Sequence, residues 1–182
     1  MKGRKAVFID RDGVVNKLVQ RPGFDLPTAP FAFEELRIFN GVKEALLVLK
    51  RIGVLRILVT NQPDVVYGYL SYEEWKKIQD EIEKLGFDDV FICPHGRDDG
   101  CECKKPKPGM LLAAQKKWNI DLGRSFMIGD TQTDMMAAKT AGCRTILVKD
   151  RYNSGVMSDF RAGSLLEAAR LIARLITEGG AT

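Results

Sequence analysis

No apolar run in the 182-residue chain comes near the ~20 residues needed to cross a bilayer; stretches such as Val54-Leu55 and Ile57-Leu58-Val59 are split by Arg56. A secretory core is missing too. The apolar residues after Lys2, Arg4 and Lys5 end at Asp10, short of the ~7–15 residues that such a core spans, so the cytoplasm is the expected location. Compositional bias is absent. With 17 Gly, 7 Pro, 45% hydrophobic and 29% charged residues, the chain lies near globular averages, which excludes collagen-like, low-complexity and wholly disordered classes. Charge of one sign is scarce. Lys and Arg number 28 against 24 Asp and Glu, and the resulting +4 suits an anionic substrate but is too weak to indicate nucleic acid. There are no internal repeats, and a chain of this length can bury a full core as one domain.

Short apolar segments alternate with amphipathic ones. Ala6–Ile9, Leu55–Val59, Val90–Ile92, Phe126–Ile128 and Thr145–Val148 read as five strands. Helices are predicted over Val42–Arg51 before Gly53, from a Ser71/Glu74 capping box to about Leu85 before Gly86, and from Pro108 onward. Two more follow, over Asp134–Ala141 before Gly142 and from a Ser164/Glu167 capping box. Strands separated by helices require right-handed crossovers. The expected fold is therefore α/β, a doubly wound, mainly parallel sheet without a large cap. Residues 1–178 read as a single domain and 179–182 as a flexible tail. The main irregular segment, from Gly13 to about Glu34, carries Pro22, Pro27 and Pro30 with Phe24, Phe31 and Phe33; a loop of that length is more often functional than idle. Phe31 and Phe33 could anchor it in the core or face a substrate.

Open α/β sheets bind ligands beyond the carboxyl ends of their strands, so the residues there form one set. Asp10-Arg11-Asp12-Gly13 follows the first strand, Thr60-Asn61-Gln62 the second, and Gly129-Asp130, with Asp134 beyond, the fourth. Three carboxylates at such positions suit a hard cation such as Mg²⁺, held together with substrate phosphate oxygens. An Asp-Gly turn with helix-capping aspartates is the plain alternative for the first motif alone. Beside a metal, Asp10 could attack a phosphoryl group, and Asp12 could carry the proton of the leaving oxygen and then of water. Thr60, Asn61 and Gln62, with Lys105, offer donors and positive charge to the phosphoryl oxygens. Lys105 could otherwise be a solvated surface lysine.

Cys93, His95, Cys101 and Cys103 gather three of the 4 cysteines and the 1 histidine into Cys-x-His-x5-Cys-x-Cys. Three thiolates and an imidazole complete a closed tetrahedral Zn²⁺ site, which serves structure rather than catalysis. Buried free cysteines, or a Cys101/Cys103 redox pair, are the rivals. Pro94, Gly96 and Gly100 suit a ligand loop better than a core strand. Cys143 stands apart as a packed helix-end residue.

Together Asp10-x-Asp12-Gly13, Thr60-Asn61-Gln62, Lys105 and Gly129-Asp130-x-x-x-Asp134 resemble the haloacid dehalogenase (HAD) superfamily of aspartyl-nucleophile phosphatases. The cysteine loop followed by Lys104-Lys105-Pro106-Lys107-Pro108-Gly109-Met110 is similar to the heptose-bisphosphate phosphatase and histidinol-phosphatase branch. The resemblance implies a Mg²⁺-dependent phosphomonoesterase with Asp10 as nucleophile and Asp12 as acid/base. It also implies a metal held by Asp10, Asp130 and the Asp12 carbonyl, with Asp134 in support. Several positions depart from the heptose-enzyme pattern. Val14 replaces a Thr, Tyr67 an Arg, and Thr131 a Lys, while the segment from Asn16 to Glu34 is long.

The leading expectation is a small phosphorylated sugar, a heptose 1,7-bisphosphate, as substrate of a monomeric enzyme. A second phosphate would need cations near the loops, which Lys17, Arg21, Lys104 and Lys107 could supply. Histidinol phosphate is the alternative within the class. A zinc-stabilised nucleic-acid-binding module is the alternative outside it, and it leaves three aspartates at strand ends without a purpose. Neither nucleic acid nor membrane is an expected partner.

Overall fold

A computed structural model describes residues 3–178. Residues 179–182, expected as a tail, lie outside the described residues. Six strands, β1 (Ala6–Ile9), β2 (Leu55–Asn61), β3 (Asp89–Cys93), β4 (Phe126–Gly129), β5 (Arg144–Val148) and β6 (Phe160–Ala162), form one sheet in the order β3-β2-β1-β4-β5-β6. All five pairings are parallel. Alternate residues of each buried strand face opposite sides, so the sheet has two apolar cores. Val7, Ile9, Leu58 and Ile128 pack beneath α1 (Val42–Arg51), α2 (Tyr72–Glu83) and α5 (Leu165–Glu178). Phe8, Ile57, Val59 and Met127 pack beneath α3 (Gly109–Trp118) and α4 (Gln132–Ala141). Among the described residues no helix is long and apolar enough to cross a membrane.

β6 corrects the five-strand expectation. Phe160-Arg161-Ala162 has no apolar run, because an edge strand pairs on one side only and its central residue is exposed. β2 also runs on to Asn61, so Thr60 and Asn61 belong to the strand's last residues rather than to the loop beyond it. α4 begins at Gln132 because Thr131 caps it, with the Asp134 carboxylate returning to the Thr131 N–H. The two capping boxes expected from the sequence form by half. Ser71 accepts from the Glu74 N–H at 3.2 Å and Ser164 from the Glu167 N–H at 3.2 Å. The glutamates bond instead to the N–H groups of Phe33 and Gly163, which makes Glu74 a tie between α2 and the long loop.

Strand order reverses at β1. The sequence proceeds outward through β2 and β3 on one side and through β4, β5 and β6 on the other, leaving a crevice beyond the ends of β1 and β4. Two glycines let the backbone close around it. Gly13 has φ +85°, and a Cβ there would lie 2.0 Å from Asp130 Oδ2; a Cβ on Gly129 would lie 2.3 Å from Asp134 Cβ.

Candidate active site and metal centres

Asp10 leaves the end of β1 and Asp130 the end of β4, while Asp134 rises from the first turn of α4. Their carboxylates lie within 4.8 Å of one another. Lys105 answers this charge. Its Nζ donates to Asp10 Oδ1 at 2.6 Å, to Asp134 Oδ1 at 2.5 Å and to the Val59 carbonyl at 3.0 Å, so the buried ammonium has three acceptors. Burial alone would lower the Lys105 pKa, but the Asp10 and Asp134 carboxylates outweigh it and raise it. Asn61 fixes the lysine's backbone by a double contact: its amide donates to the Lys105 carbonyl and accepts from the Lys105 N–H, both at 3.0 Å. The Asn61 side chain is thereby committed to positioning Lys105.

Asp130 is held on two sides. Its Oδ2 accepts from the Tyr152 hydroxyl at 2.5 Å and its carbonyl from Asn153 Nδ2 at 2.8 Å, whereas its buried Oδ1 has no partner among the described residues. An unpaired buried carboxylate oxygen beside two further carboxylates is a costly arrangement unless a cation completes it. This all-oxygen, anionic donor set fits Mg²⁺. Asp12 faces elsewhere. Its carboxylate accepts from Gln62 Nε2 at 2.7 Å, from Asn16 Nδ2 at 2.9 Å and from its neighbour Arg11, and Gln62 Nε2 also reaches Thr60 Oγ1 at 2.8 Å. Asp10, Asp12, Thr60, Lys105 and Asp130 line one cavity of about 240 Å³, to which Leu18, Leu26 and Pro27 of the long loop also contribute.

Burial and the charge of Asp134 push the Asp10 pKa up to about 7, partly offset by Lys105. Burial, Asp10 and Asp134 push Asp130 up to about 8. Without metal, the folded chain therefore keeps protons that the unfolded chain releases above the ordinary value of 3.8. Stability of the metal-free protein is expected to fall as pH rises from about 4 to about 8, since the unfolded state binds fewer protons over that window. Mg²⁺ competes with those protons, so it should raise the melting temperature more at pH 8 than at pH 5. Thermal melts with EDTA or Mg²⁺ at both pH values check this; an equal Mg²⁺ shift at the two would contradict it.

The second cluster closes a loop between β3 and α3. Cys93 Sγ lies 3.6 Å from His95 Nδ1 and 3.7 Å from Cys101 Sγ, and His95 Nδ1 lies 3.2 Å from Cys103 Sγ. Ligands about 2.0–2.3 Å from a tetrahedral Zn²⁺ are separated by about 3.4–3.8 Å; two of these distances fall in that range, the third is 0.2 Å short of it, and all four ligand atoms lie within 4.8 Å of one another, a donor set that fits that ion. None of the cysteines is disulfide-bonded, and Cys143 packs against the α3/α4 side of the sheet. Purified protein is expected to carry zinc, and Cys101→Ser to lose it together with several degrees of melting temperature. Metal analysis with thiol titration checks this; reduced thiols without zinc would refute the site. Lys104 donates to the His95 carbonyl at 2.8 Å and lines, with Arg97 and Lys107, a neighbouring cavity of about 430 Å³.

Several residues at the site carry no sequence signal that marks them: Arg11, Asn16, Tyr152 and Asn153. The last two follow β5, the one of the five predicted strand ends for which the sequence named no candidate residue. Phe31 and Phe33 join neither apolar core; Phe31 stacks on Tyr69 with ring centroids 5.2 Å apart.

A family profile of HAD-hydrolase-like proteins matches residues 102–161. The chain is 39% identical over 160 residues to D-glycero-beta-D-manno-heptose-1,7-bisphosphate 7-phosphatase of Vibrio cholerae serotype O1, covering 80% of this chain and 82% of the relative. It is 35% identical over 170 residues to the alpha-heptose 1,7-bisphosphate 7-phosphatase of Burkholderia mallei, covering 86% and 85%. Among solved structures, D,D-heptose 1,7-bisphosphate phosphatase from B. bronchiseptica, complexed with magnesium and phosphate, superposes with a TM-score of 0.77 at 29% identity. That superposition covers 96% of this chain and 99% of the other.

Proposed function

The chain belongs to the heptose-1,7-bisphosphate 7-phosphatase family of HAD-like hydrolases, and on that premise we propose that it removes one phosphate from a D-glycero-D-manno-heptose 1,7-bisphosphate. The observation that carries this reading is the convergence of Asp10, Asp130 and Lys105 around an unpartnered carboxylate oxygen in a cavity that also holds Asp12 and Thr60.

Asp10 is the nucleophile: a carboxylate oxygen attacks phosphorus in line with the sugar oxygen, the phosphorus–sugar oxygen bond breaks, and an aspartyl-phosphate forms on Asp10. Asp12 gives its proton to the departing sugar oxygen. In the second half Asp12 takes a proton from the attacking water, the Asp10–phosphorus bond breaks, and inorganic phosphate leaves. Gln62, Asn16 and Arg11 orient Asp12 for both transfers. Lys105 and the Thr60 hydroxyl hold the phosphoryl oxygens, where charge spreads in the transition state, while Asn61 keeps Lys105 in place. Asp10, Asp130 and the Asp12 carbonyl would hold Mg²⁺, which supplies neutralising charge between the anionic nucleophile and the anionic phosphoryl group. Asp134 anchors Lys105 rather than the cation. Cys93, His95, Cys101 and Cys103 would hold Zn²⁺ as a structural staple of the loop 93–103.

Residues 1–178 are read as one catalytic domain, a reading supported by the single six-stranded sheet with helices on both faces, and the enzyme is read as a monomer. A reducing compartment, the cytoplasm, suits four free thiols. The second phosphate of the substrate is assigned to the cavity of Lys104, Lys107 and Arg97. Lys104→Ala is accordingly expected to raise KM for the bisphosphate about 10-fold more than KM for a sugar monophosphate, the worth of one charge-assisted contact. Phosphate release measured on both substrates with Mg²⁺ tests the function and this assignment together. Failure to hydrolyse the bisphosphate would sink the first, and equal KM changes the second.

A further inference from the structure

Tyr152 belongs to none of the motifs that mark the catalytic residues, yet its side chain borders the phosphoryl cavity and its hydroxyl reaches Asp130. The turn that carries it is tied at both ends. Asp150 caps the 3₁₀ turn Arg151–Asn153, accepting from the Arg151 N–H at 2.6 Å, while Asn153 Oδ1 accepts from the Asp150 N–H at 2.9 Å. Asn153 is buried, and its Nδ2 donates at 2.8 Å to the carbonyls of both Asp130 and Val148. The turn is thus clamped to the ends of β4 and β5.

From that clamp the Tyr152 hydroxyl donates to Asp130 Oδ2 at 2.5 Å, and the same oxygen is closed in from another side by the turn after β1. A Cβ on Gly13 would lie 2.0 Å from Oδ2 and 3.2 Å from the Tyr152 hydroxyl oxygen, so only glycine fits against the pair. What remains is Oδ1, which is buried and has no partner among the described residues. The neighbouring acids are committed in the same manner. Asp10 gives Oδ1 to Lys105, and Asp134 gives Oδ1 to Lys105 and Oδ2 to Thr131. Of these acids, Asp10 and Asp130 each keep a single oxygen for a cation.

Single oxygens suit one kind of ion. Mg²⁺ demands a small, near-octahedral shell and completes it with water, so one oxygen from each carboxylate is enough; Ca²⁺ takes about 6–8 oxygens at longer range and readily uses both oxygens of a carboxylate. We propose that Tyr152 is a positioning residue that sets the ion preference: by holding Asp130 Oδ2 it presents Oδ1 alone, which favours Mg²⁺ over Ca²⁺. Its hydroxyl acts through Asp130 and not on the substrate. The proposal rests on the phosphatase reading and extends it from the residues that hold the metal to how the chain tells one divalent ion from another.

Tyr152→Phe keeps the ring and the turn and removes only the hydroxyl. The test is calorimetric titration of Mg²⁺ and of Ca²⁺ into wild type and variant without substrate, with thermal melts in EDTA to establish that the variant is folded. Release of Asp130 Oδ2 is expected to raise the Kd for Mg²⁺ about 10-fold while the Kd for Ca²⁺ stays or falls, so that their ratio moves at least about 10-fold toward Ca²⁺. Asp150→Ala, which loosens the turn and leaves the hydroxyl in place, should move the ratio the same way by a smaller factor. Ca²⁺ should also inhibit Mg²⁺-supported phosphate release at lower concentration in Tyr152→Phe, with KM for the bisphosphate at saturating Mg²⁺ unchanged. If both affinities fall by one factor, the hydroxyl only supports the local structure and the proposal is overturned. A raised KM with both affinities intact overturns it too, since Tyr152 would then be a substrate contact. In either case Mg²⁺-dependent hydrolysis by the wild type leaves the phosphatase reading standing. A wild-type protein that neither binds Mg²⁺ nor releases phosphate overturns both.

Discussion

Asp10→Asn is expected to reduce phosphate release by at least about four orders of magnitude, since the amide keeps the shape of the carboxylate but cannot form the acyl phosphate. The fold should survive, and for an electrostatic reason it should gain. Lys105 retains Asp134 as its ion-pair partner, while Asp130 and Asp134 lose a buried like charge nearby. Metal-free Asp10→Asn is therefore expected to melt higher than metal-free wild type at pH 8, with the difference shrinking toward pH 5, where wild-type Asp10 is already protonated. Single-turnover phosphate release and paired thermal melts measure the two effects. A variant with near-wild-type turnover would remove Asp10 from the role of nucleophile.

Lys105→Met should produce the largest loss of stability. Lys105 is 4% exposed and its ammonium pairs with both Asp10 and Asp134, so an apolar replacement leaves two buried carboxylates facing each other. Breaking a buried ion pair from one side costs about 3–5 kcal/mol, and at about 2–4 °C per kcal/mol for a domain of this size the melting temperature should fall by roughly 10 °C. The pH dependence distinguishes this cause from lost packing. Without the lysine, the carboxyls hold protons more firmly in the folded state than in the unfolded state, so the variant should regain stability as pH falls from 8 to 5. Activity should fall with it, since the same ammonium meets the phosphoryl oxygens. A variant with the same melting-temperature deficit at pH 5 and pH 8 would mean that the ion pairs are not what Lys105 contributes.

The sequence was most legible where one segment carries its own signal. β1, β2, β4 and β5 are apolar runs bounded by turns because the sheet is buried on both faces, and Cys93 to Cys103 holds its four ligands within one loop. The acids at the strand ends could be read because parallel order brings such positions to one edge. β6 was not legible, as a three-residue edge strand needs only one partner and tolerates Arg161 in its middle. Tyr152 was hidden for a different reason. Its hydroxyl meets Asp130 across 22 residues of sequence, through a 3₁₀ turn whose direction depends on how Asn153 binds the Asp130 and Val148 carbonyls. Long-range side-chain contacts of this kind leave no periodicity. The stacking of Phe31 on Tyr69 likewise joins two loops that sequence spacing cannot relate.

The four Cys and His side chains bring both ends of the loop 93–103 together, their ligand atoms within 4.8 Å of one another, and leave its middle, Arg97 to Gly100, exposed. Only Lys104 separates Cys103 from Lys105, and Asn61 grips the Lys105 backbone from the other side. Insertions or exchanges at residues 97–100 would thus be absorbed before they reach Lys105. With Arg97 and Asp98 in that tolerant stretch, the tip of the loop can drift in sequence while Lys105 keeps its place.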